Sequence, residues 1–251
     1  MAGEILLQVQ NVSKSFGGVR AVDDVSLDLH RGEVMGIIGP NGSGKTTLVN
    51  LITGFVRKDS GRVLFKERDI TDLPPHKIAD LGLVRTFQVM RPYYSLPAYK
   101  NLIVPLYAPR VRRRAGGKLG DRDAVAIDIL EDVGFERDAY VPYKPASALP
   151  TGYLKRLELC RCLALRPEAI ICDEIFSGLS PSEVASMVPI VERLQMEGIT
   201  LMMIEHRLRE LFRVANRVIA MNFGEKLAEG TPEEVMEEEK VREAYLGWEA
   251  T

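Results

Sequence analysis

Cysteines are scarce in this 251-residue sequence, which contains only three of them. Three cysteines are too few for the disulfide framework of a small secreted domain. A metal site built on them would need further ligands nearby in the sequence, and none are found there. We therefore expect Cys160, Cys162 and Cys172 to be small side chains of the core.

The sequence also lacks an excess of either charge and any long apolar stretch. Its net charge of −2 and pI of about 6.0 exclude a global basic field of the kind that binds nucleic acid. Apolar runs such as residues 201–204 have the length of a strand, far below the roughly 20 residues that span a bilayer. The first residues show no basic region followed by an apolar stretch, so we expect no secretory signal and a cytosolic chain.

What the sequence does contain is 46% apolar residues, enough for a buried core, and one glycine-rich stretch between two apolar runs. The order of apolar run, glycine loop and second apolar run predicts a strand, a phosphate-binding loop (P-loop) and a helix that starts near Lys45. Lys45 is expected to reach the β- and γ-phosphates of a nucleoside triphosphate, and the Thr46 hydroxyl to hold Mg²⁺. Along this loop the predicted nucleotide-binding residues are Gly39, Asn41, Gly42, Ser43, Gly44, Lys45, Thr46 and Thr47.

Two acidic residues follow a second buried run, residues 169–172. A parallel strand delivers such residues at its carboxyl end, where ligands bind in α/β sheets. Asp173 is suited to hold Mg²⁺ through water, and Glu174 to polarise the attacking water. The alternative is that the acidic pair caps a helix. The P-loop upstream favours catalysis.

Two further polar side chains stand where predicted strands end. His206 follows the apolar run 200–204 and is placed to donate to the γ-phosphate and to sense its loss. Its alternative is a histidine that only caps or packs at the strand end. Gln88 ends a shorter strand at a loop, which is weak evidence taken alone.

The loop 14–18 carries Phe16 beside two glycines, upstream of the P-loop. An aromatic ring at this position can stack on the face of a purine base. It can equally pack on its own domain, and position alone does not decide between the two.

The middle of the chain differs in character from both ends. We expect residues 89–156 to form a helical subdomain. It is inserted between two parts of a nucleotide-binding core, residues 1–88 and 157–251. The expected fold is α/β, a P-loop NTPase core with a mixed sheet, helices on both faces and an antiparallel β part. Within the insertion, the basic run 110–118 is expected to be a solvated loop, or alternatively a contact for anionic lipid headgroups.

The order of these features along the chain resembles that of ATP-binding cassette (ABC) ATPases. The resemblance implies an ATPase that uses ATP and Mg²⁺, with Phe16 stacking on adenine and His206 acting as the switch histidine. It implies that Asp173 and Glu174 form the Walker B pair, and that Gln88 links metal and water to a transmembrane partner. Residues 149–153 correspond to the signature loop and residues 177–180 to a loop that contacts the second ATPase.

Within that family, five segments resemble the importers of branched-chain amino acids: residues 16–22, 84–88, 204–206, 229–232 and 244–247. The resemblance implies two transmembrane permease subunits, a second ATPase subunit and, indirectly, a periplasmic or extracellular solute-binding protein. It places the chain peripherally on the cytoplasmic face of the cell membrane and implies no nucleic-acid partner. Relatives import hydrophobic amino acids, amides, urea or aromatic acids, and the ATPase does not touch the cargo.

The chain departs from the family pattern in its signature loop. Where the family has serine, two glycines and glutamine, this chain has Pro150, Thr151, Gly152 and Tyr153. Pro150 has neither a hydroxyl nor an N–H group, and Tyr153 is bulky. The Walker B pair is followed by Ile175 in place of proline, and the next loop ends in Ser180 in place of Asp or Asn.

These departures lead us to expect a heterodimer, in which a sister ATPase supplies a regular signature to this chain's intact site. The reciprocal site is expected to be slow or mainly structural. Two rival interpretations stay open: a soluble cassette that acts on nucleic acid or ribosomes, and a regulatory cassette that closes on nucleotide with little hydrolysis. The rival cassettes on nucleic acid usually have two cassettes in one chain or a long coiled coil, and this sequence has neither.

Overall fold

The computed structural model describes residues 3–116 and 119–249, and within these ranges the strands form two sheets. In chain order the strands are β1 (Ile5–Phe16), β2 (Val19–His30), β3 (Val34–Ile38), β4 (Ser60–Phe65), β5 (Arg68–Asp69), β6 (Leu83–Arg85), β7 (Ala169–Asp173), β8 (Thr200–Ile204), β9 (Arg217–Asn222) and β10 (Glu225–Gly230). The helices are α1 (Lys45–Ile52), α2 (Pro75–Leu81), α3 (Ile103–Leu106), α4 (Pro109–Arg114), α5 (Arg122–Asp132), α6 (Thr151–Leu163), α7 (Pro181–Met196), α8 (Leu208–Val214), α9 (Pro232–Glu237) and α10 (Glu239–Glu249). Short 3₁₀ helices lie at Tyr99–Leu102, Val141–Tyr143 and Ala146–Ala148.

The larger sheet has the order β10-β9-β3-β8-β7-β6, with all pairs parallel except the antiparallel pair β9 and β10. Strands β3, β7 and β8 are buried along their whole length, as expected for parallel strands covered on both faces. Alternate side chains of β3 belong to two hydrophobic clusters, with Val34 and Ile38 in one and Met35 and Ile37 in the other. The carboxyl ends of β3, β6, β7 and β8 therefore meet at one edge, which positions the candidate site.

The smaller sheet is antiparallel, with the order β2-β1-β4-β5. Its first hairpin corrects the prediction of a loop at 14–18, because β1 continues to Phe16 and only Gly17 and Gly18 form the turn. Both glycines have positive φ, 53° and 89°, which glycine adopts without steric cost. Together the two sheets confirm the expected mixed α/β core with an antiparallel part.

Helices α3 to α6 and the 3₁₀ helices lie between β6 and β7 in the chain, where the helical insertion was expected. The predicted boundary at residue 156 falls inside α6. The division into core and subdomain stays a prediction.

The predicted solvated loop at 110–118 is wrong for its first part, since residues up to Arg114 form helix α4 and Arg110 is buried. The Arg110 guanidinium donates to the carbonyl of Leu81 at 2.7 Å and to Glu168 at 3.1 Å. Burial raises the pKa of Glu168, but hydrogen bonds from Lys66 and Arg110 outweigh it and lower that pKa to about 2. Arg110 can thus be buried because Glu168 pairs with it, whereas Arg112, Arg113 and Arg114 are exposed. Residues 117 and 118 lie outside the described ranges.

The three cysteines are buried, as expected, and burial raises the pKa of each thiol. Within the described ranges, no helix combines the length and the apolar character needed to cross a membrane.

Candidate active site

The P-loop connects the end of β3 to the start of α1, which begins at Lys45 as the sequence predicts. Two of its glycines are required by close backbone contacts. A Cβ on Gly39 would lie 2.2 Å from the carbonyl oxygen of Met221, and one on Gly44 would lie 2.3 Å from that of Ala21. Gly39, Gly42 and Gly44 also have φ of 149°, 79° and 101°. The loop is therefore shaped by neighbouring strands as well as by its own sequence.

Lys45 lies inside this loop with 5% of its surface exposed. Its ammonium group donates to the carbonyl oxygens of Gly39 and Pro40 at 2.8 and 2.9 Å. Burial lowers the pKa of Lys45, and the nearby carboxylates of Glu174 and Asp173 oppose that shift. The loop thus holds a buried cation on its own carbonyl oxygens, beside the helix N-terminus, where an anion is favoured.

The other P-loop side chains differ in exposure. Asn41 and Thr46 are exposed, Thr47 is half-buried and Ser43 is buried. Thr46 lines a cavity of about 460 Å³ together with Gln88 and Asp173. The three residues expected to bind Mg²⁺, Thr46, Gln88 and Asp173, therefore line the same cavity.

Asp173 ends β7 and forms a buried ion pair that the sequence did not reveal. One carboxylate oxygen, Oδ2, accepts a hydrogen bond of 2.7 Å from Arg85, whose guanidinium also donates to Asn50. The other oxygen, Oδ1, is buried and has no hydrogen-bond partner among the described residues. Burial raises the pKa of Asp173, and the Arg85 guanidinium opposes this by favouring the carboxylate. The sequence did contain a sign of this role, because Arg85 is a charged residue at the end of the otherwise apolar strand β6.

Glu174 is the meeting point of three predicted site residues. Its Oε1 lies 2.9 Å from the His206 Nε2, and its Oε2 accepts a hydrogen bond of 2.7 Å from the Gln88 amide. Its backbone has a φ of 52°, which is unusual for a residue other than glycine. The N–H of Glu174 donates to the carbonyl of Ile204 at the end of β8. The structure therefore brings together side chains that are 86 and 32 residues apart in the chain.

The turn after Glu174 is held by two buried charged residues that sequence reasoning missed. Lys155 of α6 donates to the carbonyl oxygen of Glu174 at 2.8 Å. Glu205 accepts a hydrogen bond of 2.9 Å from the N–H of Phe176. Burial raises the pKa of Glu205 to about 8, although the Phe176 hydrogen bond opposes the shift. The sequence gave little indication that Lys155 and Glu205 are buried, because lysines in helices and acidic residues beside histidines are usually exposed to solvent.

The signature segment lies elsewhere on the surface. None of the residues that line the three cavities beside the P-loop, within the described part of the chain, comes from 150–153. Pro150 is the N-cap of α6, and the exposed Thr151 begins the helix. The Tyr153 hydroxyl donates to Glu136 at 2.5 Å.

The helix α6 already has an anion at its N-terminus. Hydrogen bonds from Ser180 lower the pKa of the Glu183 carboxyl, and the nearby N–H of Gly152 adds to this shift. A Cβ on Gly152 would lie 2.6 Å from Oε1 of Glu183. The close approach of this carboxylate is therefore possible only because residue 152 is a glycine.

Phe16 stands at the tip of the first hairpin with 49% of its surface exposed. The ammonium group of Lys14 lies 5.3 Å from the centre of its ring, a cation–π contact. The adjoining strand β2 passes the P-loop, since the carbonyl of Ala21 approaches Gly44. The ring is therefore carried by the hairpin whose second strand approaches the end of the phosphate loop.

Comparison with known proteins agrees with this geometry. A family model described as "ABC transporter" matches residues 22–177, and one described as "Branched-chain amino acid ATP-binding cassette transporter" matches residues 225–247. The probable branched-chain amino acid transport ATP-binding protein LivG of Archaeoglobus fulgidus is 34% identical over 245 residues, covering 96% of this chain and 95% of the relative. The high-affinity LivG of Salmonella typhimurium is 36% identical over 255 residues, covering 96% and 98%.

Solved structures show the same likeness. A nucleotide-free ATP-binding cassette from an ABC transporter superimposes with a TM-score of 0.85 at 32% identity, covering 96% of this chain and 98% of that one. The ADP conformation of an ATP-binding cassette gives a TM-score of 0.82 at 33% identity, with 97% and 99% covered. The relatives do not favour the rival cassette that acts on nucleic acid or ribosomes. The chain therefore belongs to the ABC transporter family, as an ATP-binding and ATP-hydrolysing subunit of the branched-chain amino-acid importer type.

Proposed function

We propose that this chain uses the energy of ATP binding and hydrolysis to drive uptake of a small organic solute, such as an amino acid, through two separate permease subunits. The observation that carries the proposal is the convergence of Gln88 and His206 on Glu174 beside the P-loop. Gln88 connects the catalytic residues to the protein surface. Its side chain binds Glu174, and the segment that follows it in the chain is exposed. A separate solute-binding protein delivers the cargo from outside the cell. The chain itself sits peripherally on the cytoplasmic face of the membrane.

The nucleotide is proposed to lie with its phosphates on residues 39–47 and its adenine on Phe16. The backbone N–H groups of Gly42 and Gly44 and the start of α1 supply donors and a positive dipole end to the phosphates, while the N–H of Ser43 donates to the Pro40 carbonyl at 3.2 Å. The Lys45 ammonium group is held by the neutral carbonyl oxygens of Gly39 and Pro40, and an anionic phosphate oxygen can replace them with an ion pair. The exposed ring of Phe16 offers a stacking surface that accepts a purine without base-specific hydrogen bonds.

A magnesium ion fits the oxygen ligands that the site provides. Mg²⁺ in such sites is bound by one or two protein oxygens together with phosphates and waters. This matches a chain whose described residues contain no cluster of three acidic, histidine or cysteine side chains. Thr46, Gln88 and Asp173 would hold the ion. Asp173 would do so through a water molecule that donates a hydrogen bond to Oδ1, which has no partner among the described residues. The ion would supply positive charge to the β- and γ-phosphates.

Glu174 is proposed to polarise the attacking water, with His206 contacting the γ-phosphate. A carboxylate that accepts from both Gln88 and His206 is fixed in orientation, as a general base must be. His206 can then donate to phosphate oxygens as charge develops on them.

The second ATPase is proposed to be a different chain that supplies a regular signature loop. Helix α6 of this chain presents Pro150 in place of a hydroxyl, and the Glu183 carboxylate lies close to Gly152 at the start of the helix. Losing one preorganised donor to the transition state typically costs about 2.7–4 kcal/mol. A homodimer would carry that loss in both sites, whereas a heterodimer keeps one complete site.

The contact with the permeases is proposed to involve the segment after Gln88. This segment exposes large apolar side chains: Val89 at 68%, Tyr93 at 46%, Tyr94 at 50% and Leu96 at 41%. Exposed apolar residues grouped in one segment are typical of protein interfaces. A membrane subunit bound there lies one residue away from the side chain that binds Glu174.

The test is to produce the chain with the permeases and the second ATPase from its own source and to assay solute-stimulated ATP hydrolysis in liposomes. We expect the chain to purify with the permeases and the assembly to hydrolyse ATP. Lys45→Ala in this chain should abolish uptake while leaving the assembly intact. Retention of the chain on DNA or RNA at moderate salt, with no permease bound, would contradict the proposal.

A further inference from the structure

Arg85 at the end of β6 is a buried cation whose side-chain partners lie on other elements of the site. Its side chain is 6% exposed. Nη2 donates to Oδ2 of Asp173, at the end of β7, at 2.7 Å. Nη1 donates to Oδ1 of Asn50, on the P-loop helix α1, at 2.6 Å. The guanidinium therefore bridges two elements that come to the phosphate site from distant parts of the chain.

The elements that Arg85 joins carry the three residues proposed to hold Mg²⁺. Thr46 and Asn50 are four residues apart on α1, so they lie on the same face of that helix, one turn apart. Asp173 accepts directly from Arg85, and Gln88 follows Arg85 by three residues in the chain. One guanidinium is thus bound to, or continuous with, each element that contributes to the metal site.

The contact with Arg85 also decides which oxygen of Asp173 is left for the metal. Oδ2 is occupied by the guanidinium, whereas Oδ1 is buried and has no hydrogen-bond partner among the described residues. The backbone N–H of Asp173 donates to the hydroxyl of Thr86 at 3.0 Å, so the residue next to Arg85 fixes the backbone at the same place. Asp173 lines the cavity of about 460 Å³ beside Thr46 and Gln88. The end of β6 therefore sets how the Asp173 carboxylate is presented to this cavity.

Two aromatic rings also contact the guanidinium. Its carbon Cζ lies 4.8 Å from the centre of the Phe87 ring and 5.5 Å from that of Phe55. The two rings meet edge to face, with their centres 5.5 Å apart. Stacking uses the face of the guanidinium and leaves its N–H groups free to donate to Asp173 and Asn50. Arg85 is thus held by stacking as well as by hydrogen bonds.

We propose that Arg85 is a positioning residue of the Mg²⁺ site, which holds the Asp173 carboxylate and helix α1 in fixed positions relative to each other and so sets the affinity for the ion. The inference rests on the ATP site proposed above. Groups that orient a metal-binding side chain typically contribute about 10- to 100-fold to metal affinity or activity. Because Arg85 acts through Asp173 and α1, its removal weakens binding of the ion. Affinity for metal-free ATP, which depends on the P-loop N–H groups and Lys45, is unchanged.

The experiment measures binding of the ion and of the nucleotide separately, on the full chain. Arg85→Lys keeps the charge but lacks the planar fork that donates to Asp173 and Asn50 at once. Asn50→Leu leaves Arg85 in place and removes one of its anchors. Mn²⁺, as a probe of the Mg²⁺ site, is titrated into each protein with the protein in excess over ATP, and free Mn²⁺ is read by electron paramagnetic resonance. ATP affinity is measured in the presence of EDTA.

We expect Arg85→Lys to weaken Mn²⁺ binding by about tenfold or more. Asn50→Leu should weaken it by about two- to tenfold, the effect of one hydrogen bond. ATP affinity in EDTA should match wild type in both variants. In the assembled transporter, the Mg²⁺ concentration for half-maximal ATP hydrolysis should rise by the same factors, and saturating Mg²⁺ should restore turnover. Arg57→Lys, at a position with 88% of its side chain exposed, is the matched control and should change none of these quantities.

Three results would overturn the proposal. Wild-type Mn²⁺ affinity in both variants would show that Arg85 has no influence on the ion. Tighter Mn²⁺ binding in Arg85→Lys would show that Arg85 competes with the ion for Asp173. An equal loss of affinity for Mn²⁺ and for metal-free ATP, together with a lower melting temperature, would show only a loosened fold. Failure of the proposed ATP site is a different result, because Lys45→Ala would then bind ATP as tightly as wild type, and the role of Arg85 would fall with it.

Discussion

The ammonium group of Lys155 donates a hydrogen bond of 2.8 Å to the backbone carbonyl of Glu174, and so joins the signature helix α6 to the catalytic turn. It also lies 3.4 Å from the carbonyl oxygen of Gln88. Lys155 is 5% exposed, and burial lowers its pKa while Glu205 and Glu174 oppose the shift. Lys155 therefore connects α6 to the two residues that are proposed to handle water and metal.

Lys155→Met keeps the length of the side chain and removes the donor. The buried carbonyl of Glu174 then lacks its partner, which costs about 1–3 kcal/mol of folding stability. We expect a reduced free energy of unfolding in urea and a kcat that falls more than the KM for ATP rises. The exposed Lys77 provides the control Lys77→Met, which should change neither quantity. Wild-type turnover in Lys155→Met would disprove a positioning role.

Arg85→Met breaks the buried pair with Asp173. The two side chains are 6% and 2% exposed, so solvent cannot replace the lost partner. Removing one member of such a pair typically costs about 3–5 kcal/mol. Urea unfolding measures this loss, and Arg57→Met, at a position with 88% of its side chain exposed, serves as the surface control. Equal stabilities of the two variants would show that the Arg85 pair contributes nothing.

Glu205→Gln tests the pH dependence of stability. The pKa of Glu205 is raised to about 8 in the folded chain from an ordinary value of 4.5. Between these two pH values the folded chain holds the proton that the unfolded chain releases, so the stabilising contribution is complete below pH 4.5 and is lost as pH rises to about 8. We expect wild type to lose stability relative to Glu205→Gln across this range and the difference to level off above it.

The measurement is thermal or urea unfolding of both proteins at a series of pH values. The glutamine can still accept the Phe176 hydrogen bond but carries no titrating proton. Lys155, Glu174 and Asp173 face the same interior and are present in both proteins, so the difference curve reports residue 205 together with its coupling to these groups. A difference that does not change with pH would refute the raised pKa.

Glu174→Gln tests the proposed asymmetry of the ATPase pair. The variant removes the carboxylate from the site that pairs with the sister's regular signature, and we expect turnover of the assembled transporter to fall by at least about a hundredfold. The equivalent change in the sister subunit affects the site completed by Pro150 and Thr151, so its loss should be much smaller. ATP hydrolysis is measured for each variant in the same assembly. Equal losses from both changes would rule out the asymmetry.

The sequence by itself was sufficient for local features whose cause lies in neighbouring residues. The P-loop, the buried strands β7 and β8 and the helix start at Lys45 follow from glycine conformation, apolar runs and capping. The same reasoning failed for residues 14–16 and 110–114. In both places the partner that decided the structure, a paired strand or the carboxylate of Glu168, lies far away in the chain.

The family resemblance was carried by short motifs, and the order of those motifs was enough to predict the mixed α/β core. Contacts between motifs were decided only by the tertiary structure. The pairing of Arg85 with Asp173 and the attachment of Lys155 and Glu205 to the turn after Glu174 join distant segments. The physical reason is that a buried polar group must find a partner wherever the fold provides one, and spacing along the chain does not reveal which partner that is.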